Sequence, residues 1–237
     1  MPLSGRIRNA LLASLSVADL ERLRPNLRAA GLKYEDILIR AGDPVVRVYF
    51  PHSGIISLVV RMKSGATVEA ATVGHDGAFG SAYAFSGHAS LCTAVVQMEG
   101  EASTIDVGSL RMAAAQSQSL LATLFRFDHV VHAQALQSAA CNALHSVEAR
   151  LSRWLLRARD LAGSDRLTFS QDYLAQMLGT HRNTVSIVAH SLQQTGVIHY
   201  SRGVIDIVDL AGLANSSCEC YDAIKAVSGD GRRDKGV

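Results

Sequence analysis

Three textures of hydrophobic and polar positions succeed one another along the 237 residues. Over Ser16 to Leu27, Leu20, Leu23 and Leu27 recur at helical spacing behind Ser16, a helix-capping residue type, which predicts a short amphipathic helix. From about Ile37 to Val107 the texture changes. Short β-rich runs, Val46 to Phe50, Ile55 to Met62, Thr67 to Val73 and Thr93 to Met98, are separated by glycine-containing turns at Ser53-Gly54, Ser64-Gly65, Gly74 to Gly80 and Gly100. That spacing predicts an antiparallel barrel or roll. Near Ser117 the period changes again. Leu120, Leu121, Leu124, Phe127, Val131 and Ala135 fall three and four apart in a stretch without Pro or Gly before Gly163, which predicts one long helix or two in succession. The stripe suits pairing with the same helix of a second chain or burial against the chain's own β domain, and the sequence leaves that choice open. Ser228 to Val237, rich in Gly, Asp, Arg and Lys, reads as a frayed tail.

The most informative segment runs from Ser170 to Ile198, SQDYLAQMLGTHRNTVSIVAHSLQQTGVI. Thr168, with Gln171 three residues on, has the spacing of a capping box, and the helix it starts has Leu174, Met177 and Leu178 as its inward face. Gly179 can supply the positive backbone angle of a tight turn, after which Thr184, Val185, Val188 and Leu192 resume helical spacing. Ala175 is small where two crossing helices approach, and Val185 is apolar where the second must pack back. Small residue, glycine and aliphatic at these offsets make the helix-turn-helix pattern. Beyond Gly196, Val197 to Tyr200 and Val204 to Val208 flank Ser201-Arg202-Gly203, a hairpin signal that adds a wing. Two ordinary packed helices around an incidental glycine would explain any one of these features; their occurrence in order favours DNA binding.

Composition adds limits. With 48% hydrophobic and 19% charged residues the chain is globular, and its length suits two domains. The net charge of +2 does not announce a nucleic-acid partner, so the DNA reading rests on the motif. Arg6 and Arg8 precede the apolar run Ala10 to Leu15, but charge resumes at Asp19 and Glu21, so no export signal is read. With no apolar stretch near the ~18 residues of a membrane span, the expected location is the cytoplasm, with no membrane partner. Cys92, Cys141, Cys218 and Cys220 are too few for a disulfide framework and suit a reducing compartment. Cys218 and Cys220 lack the two-residue gap of a zinc knuckle and have no second Cys or His pair nearby in the sequence, so no metal site is expected. Without a nucleophile elbow, paired carboxylates or a phosphate loop, no enzyme and no catalytic residue is expected.

From about Val147 to Leu210 the chain resembles the DNA-binding domain of the family of the cyclic-AMP receptor protein and its oxygen-sensing relatives, the Crp/Fnr family. Gly42-Asp43, Val48-Tyr49-Phe50, Ser53-Gly54, Lys63-Ser64-Gly65 and Gly74-His75-Asp76-Gly77-Ala78-Phe79-Gly80 resemble that family's glycine-punctuated β-roll. The resemblance implies an α+β chain: an N-terminal double-stranded β-roll of the cyclic-nucleotide-binding, jelly-roll type over 1–117, a dimerisation helix over 118–146, a winged helix-turn-helix over 147–215, and a C-terminal helix and tail over 216–237. It also implies a homodimer on a palindromic operator in double-stranded DNA, modulated through the β-roll, with RNA polymerase as a further partner.

The family's base-reading Arg corresponds to Arg182, and an Arg that donates twice to guanine is the commonest specific major-groove contact. Asn183 stands where many relatives carry Glu, and Ile187 where the cyclic-AMP receptor carries a second Arg; Asn suits adenine and Ile a thymine methyl, so the operator is left undetermined. Thr168, Ser170, Gln171, Thr180, His181, Thr184 and Arg202 are candidates for phosphate from helix starts and the wing, Thr168 and Thr180 equally for caps alone. Ser186 and His190 complete the candidate DNA-facing set, and His190 faces either DNA or solvent.

Cyclic-nucleotide binders of this family carry, after the Phe-Gly of the roll, a Glu for the ribose and an Arg for the phosphate. Here Ser81 follows Phe79-Gly80, and no Arg or Lys lies between Lys63 and Arg111. His88, the remaining cation candidate of that cassette, is mostly uncharged at neutral pH. Cyclic nucleotide binding is therefore not expected. The first cysteine is Cys92, so the N-terminal iron–sulfur cysteines of the oxygen sensors are missing. No cofactor is expected; His75 and His88 are the residues a haem would use, and surface or structural roles are the commoner fate. Cys92 and Cys141 are either oxidation sensors or inert buried thiols. A second functional class, a ligand-binding β-roll whose winged helix docks protein, is disfavoured by Arg182, His181 and Asn183 at one helix start.

Overall fold

The computed structural model describes residues 7–228. Within those limits the chain divides into two compact units, one from residues 7–60 and 71–132, the other from 61–70 and 133–228.

The first unit opens with α1 (Ala10–Ser14) and α2 (Val17–Leu23). The run Ala10 to Leu15 is thus a short helix, with Leu11 and Leu12 fully buried. Its cap, Asn9, is also buried: Oδ1 accepts from Leu12 N at 3.1 Å, and Nδ2 donates to Pro51 O at 2.9 Å and Gly77 O at 2.7 Å. Ser16 caps α2 by accepting from Asp19 N, as its position suggests, but the helix stops at Leu23. Pro25 has no N–H to continue the ladder, and a 3-10 turn carries Leu27 into the core instead.

The strands follow: β1 (Arg28–Leu32), β2 (Ile37–Ile39), β3 (Arg47–Pro51), β4 (Ile55–Arg61), β5 (Thr67–Val73), β6 (Thr93–Met98) and β7 (Gly100–Asp106), with α3 (Ser81–Ser86) between β5 and β6. They form two sheets, ordered β1-β7-β3 and β2-β6-β4-β5. This is the expected β-roll. Gly100 opens β7 rather than forming a turn. A Cβ on it would overlap the Ser53 backbone, and one on Gly54 (φ +80°) would lie 2.6 Å from Met98 O, so two backbones touch where only glycine fits. α4 (Val107–Ala115) leads to α5 (Gln118–Leu144), whose Leu120 and Leu124 are fully buried in the core of Leu11, Val48, Phe50 and Ile105. That face of the long helix therefore packs on its own β domain.

In the second unit α5 ends and α6 (Val147–Ala162) begins, capped by Ser146, so the long apolar stretch is two helices in succession. β8 (Arg166–Thr168), α7 (Gln171–Met177), α8 (Arg182–Gln194), β9 (Ile198–Ser201), β10 (Val204–Ile207), α9 (Leu210–Ser216) and α10 (Cys220–Ser228) follow. Strand order β8-β10-β9 gives the wing a third strand. Trp154 anchors the core, edge-on to Phe169 at 4.8 Å between ring centres and to Tyr173 at 6.3 Å. Of the residues expected to fray, Ser228 ends α10, and the remainder lie outside the described residues, as does Arg6. Among the described residues no helix is long and apolar enough to cross a membrane.

A half-buried carboxyl marks the roll. Ser81, fully buried at the start of α3, donates to Asp128 Oδ1 on α5 at 2.6 Å, and the backbone of Ala82 bonds the same carboxyl. Oδ2 is buried with no hydrogen-bond partner. Burial outweighs these bonds and pushes Asp128 from 3.8 up to about 6. A folded-state value above the unfolded one means that the folded chain holds the proton more tightly, so stability falls as pH rises through this window. The loss amounts to about 3 kcal/mol once both states are ionised. Asp128→Asn, neutral throughout, is expected to be more stable than the parent by about 1 to 3 kcal/mol at about pH 8 and to lose that advantage at about pH 4. Urea unfolding of both proteins at the two pH values measures this; an advantage independent of pH would refute it.

Candidate nucleic-acid interface

The interface is built from how α7 and α8 begin and end. Thr168, the last residue of β8, is paired with Val204, and α7 does not begin until Gln171, so the capping box expected at Thr168 does not form. The cap lies two residues on, where Ser170 Oγ accepts from Tyr173 N at 3.1 Å. α7 stops at Gly179 (φ +58°), and Thr180 N donates back to Ala175 O at 2.9 Å. Thr180 is not a cap either; His181 holds that position on α8 without a side-chain bond. Ala175 and Val185 are buried as the motif requires. Val188, expected to face inward, is half-buried, and Ala189 is the next fully inward residue, four after Val185.

This burial leaves an outward face on α8. His181, Arg182, Asn183 and His190 are exposed, and Ile187 is 72% exposed among them. Asn183, Ile187 and His190 succeed one another at helical spacing, with Arg182 and Ser186 on the adjoining row. Thr184 and Ser186 are half-buried. The Ser186 hydroxyl donates to Gln171 Oε1, so these two expected contacts bind each other and tie α8 to the first turn of α7. The exposed Arg182 Nε lies 3.7 Å from Asp172 Oδ1, a solvent-screened pair that another acceptor can displace.

The wing lies beyond. Ser201 pairs with Val204, leaving a two-residue loop in which Arg202 (φ +51°) and Gly203 (φ +81°) both adopt the left-handed conformation of a type I′ turn. Arg202 is exposed at its tip. Tyr200 Oη donates to Phe169 O at 2.8 Å, and Phe169 N to Gly203 O at 2.8 Å, holding the hairpin against the chain that enters α7. Exposed Thr168 and Ser170, at that entry, complete the set.

Sequence reasoning missed Arg150. Its guanidinium is buried and donates through Nη1 to Leu178 O at 2.9 Å and to Asn142 Oδ1 at 3.1 Å. The signal was present, because Arg150 stands four residues before Trp154 on the apolar face of α6. Of the sensor residues considered, His88 is exposed, His75 half-buried, and burial pushes the Cys92 and Cys141 thiols up, away from the reactive thiolate.

Two sequence profiles match the chain: the cyclic nucleotide-binding domain over residues 32–117 and the Crp-like helix-turn-helix domain over 149–216. No curated protein matches it. Among solved structures it is similar to FixK2 from Bradyrhizobium japonicum, at 17% identity and a TM-score of 0.71 over 81% of this chain and 98% of that one. The c-di-GMP-responsive global regulator CLP from Xanthomonas campestris aligns at 17% identity and 0.68, over 82% and 100% of the two chains. A Crp/Fnr-family transcriptional regulator from Thermus thermophilus aligns at 22% and 0.68, over 80% and 98%. These identities speak for the fold. With a β-roll and a Crp-like helix-turn-helix matched in that order over most of its length, the chain belongs to the Crp/Fnr family of DNA-binding transcription regulators.

Proposed function

We propose that the protein acts in the cytoplasm as a homodimer on a palindromic operator, that α8 reads the major groove, and that the β-roll biases how the two α8 helices are presented. The observation that carries this reading is the bare face of α8, where Arg182, Asn183, Ile187 and His190 project without intramolecular burial. Arg182 suits guanine, Asn183 adenine and Ile187 a thymine methyl. Thr168, Ser170, Thr180, His181 and Thr184 surround the two helix starts and suit phosphate, as does Arg202 at the wing. RNA polymerase is the partner through which such a dimer would act on transcription.

Dimerisation is supported by the second face of α5. Phe125, His129, His132, Leu136, Ala139 and Ala143 are all exposed and follow each other at alternating four- and three-residue steps, a heptad seam left bare while Leu120 and Leu124 pack inward. The proposed division is therefore a roll to about residue 117, a pairing helix over 118–146 and the reading head over 147–215. Cyclic nucleotides are not the signal, because Asp128 already occupies the first turn of α3, bonded to Ser81 and Ala82, and a cyclic phosphate brought there would meet a carboxyl instead of a cation.

Selection of bound DNA from a random pool should return a palindrome with half-sites about 10 to 10.5 base pairs apart; a non-palindromic consensus would refute the dimer. Leu136→Glu is expected to give monomers in light scattering and to lose operator binding, and a variant still dimeric would remove the α5 seam from the interface.

Arg182→Ala is expected to cost about 1 to 3 kcal/mol per half-site on operator and little on scrambled DNA. Equal losses on both, with a shallower salt dependence, would assign Arg182 to the phosphate backbone.

Arg202→Asn separates fold from contact at the wing. Asn tolerates the left-handed angle better than Arg, so thermal stability should hold or rise by up to about 1 kcal/mol. Affinity for operator and random DNA should fall together. Unchanged affinity at several salt concentrations would take the wing tip out of the interface.

A further inference from the structure

Three cysteines and a histidine, far apart in sequence, meet at the junction of α5, α6 and α10. Cys141 lies in the last turn of α5; His145, in the break before α6, donates its backbone N–H to Cys141 O at 3.0 Å. The two side chains are therefore one helical turn apart. Cys218 precedes α10 and Cys220 is its first residue, with the turn closed by Tyr221 N donating to Cys218 O at 3.1 Å. All three cysteines are buried, and no disulfide joins them.

The sulfurs and a ring nitrogen converge on one point. Cys141 Sγ is 3.5 Å from Cys218 Sγ, Cys220 Sγ is 3.5 Å from His145 Nδ1, and all four ligand atoms lie within 4.8 Å of one another. A tetrahedral zinc, with Zn–S about 2.3 Å and Zn–N about 2.0 Å, sets its ligand atoms roughly 3.5 to 3.8 Å apart. The cluster is within about an ångström of that geometry at its widest. The surroundings fit as well. His145 Nε2 lies 3.3 Å from Glu219 Oε1, which places the ring proton on Nε2 and turns the Nδ1 lone pair toward the sulfurs. Gln137 Nε2 donates to Cys220 Sγ at 3.0 Å. Three thiolates, a neutral imidazole and Zn²⁺ carry one net negative charge. The Arg153 guanidinium, whose field reaches Cys141 and whose Nε is buried with no hydrogen-bond partner, offsets it.

Inert packing explains the cluster poorly. Among the described residues only Ala149 is packed against these cysteines as a hydrophobic neighbour, and the His–carboxylate pair adds nothing to an apolar contact. A disulfide between Cys141 and Cys218 would leave Cys220 and His145 without a role. We propose that Cys141, Cys218 and Cys220 through sulfur, and His145 through Nδ1, form a closed structural zinc site that ties the α5–α6 break to the start of α10. Four protein ligands leave no position for water or substrate, the mark of a structural rather than catalytic zinc. Loading releases the three thiol protons and forms four metal–ligand bonds, with no change of oxidation state.

The test uses the full chain, purified under reducing conditions without chelator. Metal analysis is expected to give about one zinc per chain, and replacement by Co²⁺ to give tetrahedral cobalt bands with charge-transfer absorption of three thiolates. Cys92→Ser should keep full stoichiometry, whereas Cys218→Ser should weaken zinc at least tenfold in competition with a chromophoric chelator, and Glu219→Gln about tenfold. A folded parent chain that takes up neither zinc nor cobalt would overturn the site, whatever the variants do. So would loss of metal in Cys92→Ser with retention in Cys218→Ser, or a Cys141–Cys218 disulfide that forms in the presence of zinc.

Discussion

The reading head is organised around a buried cation. Where α7 ends at Gly179, the carbonyl of Leu178 has no helical partner, and Arg150 reaches it from α6 while also holding Asn142 at the end of α5. No carboxylate neutralises this guanidinium among these bonds, so its removal from water is offset chiefly by well-placed carbonyl oxygens. The turn that aims α8 is therefore fixed from below, by a group that tolerates little displacement. With the turn held, Ala175, Val185 and Leu192 can close the apolar side of the motif, and the polar side is left bare by exclusion.

How far this was legible depended on whether the information was local. Thr67–Val73 and Thr93–Met98 are short β-rich runs near turn residues, and both are strands over those residues. Ala175, Gly179 and Val185 read correctly because a helix crossing restricts volume and backbone angle at fixed offsets. β1, with the sequence RAAGL, was not legible, since four of its five residues are not buried and its pairing with β7 supplies what its side chains do not. The cap of α7 is Ser170 and not Thr168 because the helix starts at Gln171, a boundary that two neighbouring hydroxyl residues left open in the sequence. The cysteine cluster lay furthest beyond reach: Cys141 and Cys218 stand 77 residues apart, and only the packing of α10 brings them together.

The β-roll keeps the frame of the domain it matches, with a carboxyl at its α3 corner. The cyclic nucleotide-binding profile matches residues 32–117, and the sheets, the Phe79-Gly80 corner and α3 are all in place. Yet the first turn of α3 is occupied from within by a carboxyl of the long helix. That contact joins the α3 corner directly to α5, the same element that carries the bare seam.

The glycine pair at the edge of the roll bears on how this sequence can drift. A Cβ at Gly54 meets carbonyl oxygens of Met98 and Glu99, and one at Gly100 meets the Ser53 peptide. Backbone atoms cannot be trimmed by a second substitution, so no compensating change elsewhere opens the space. At Gly179 the neighbour is the Val68 side chain at 3.2 Å, which a smaller residue would relieve, leaving only the cost of the left-handed angle. Suppressor screens should thus rescue losses at Gly179 and find none for Gly54 or Gly100, and lineages that diverge at every sensor residue should still carry that pair.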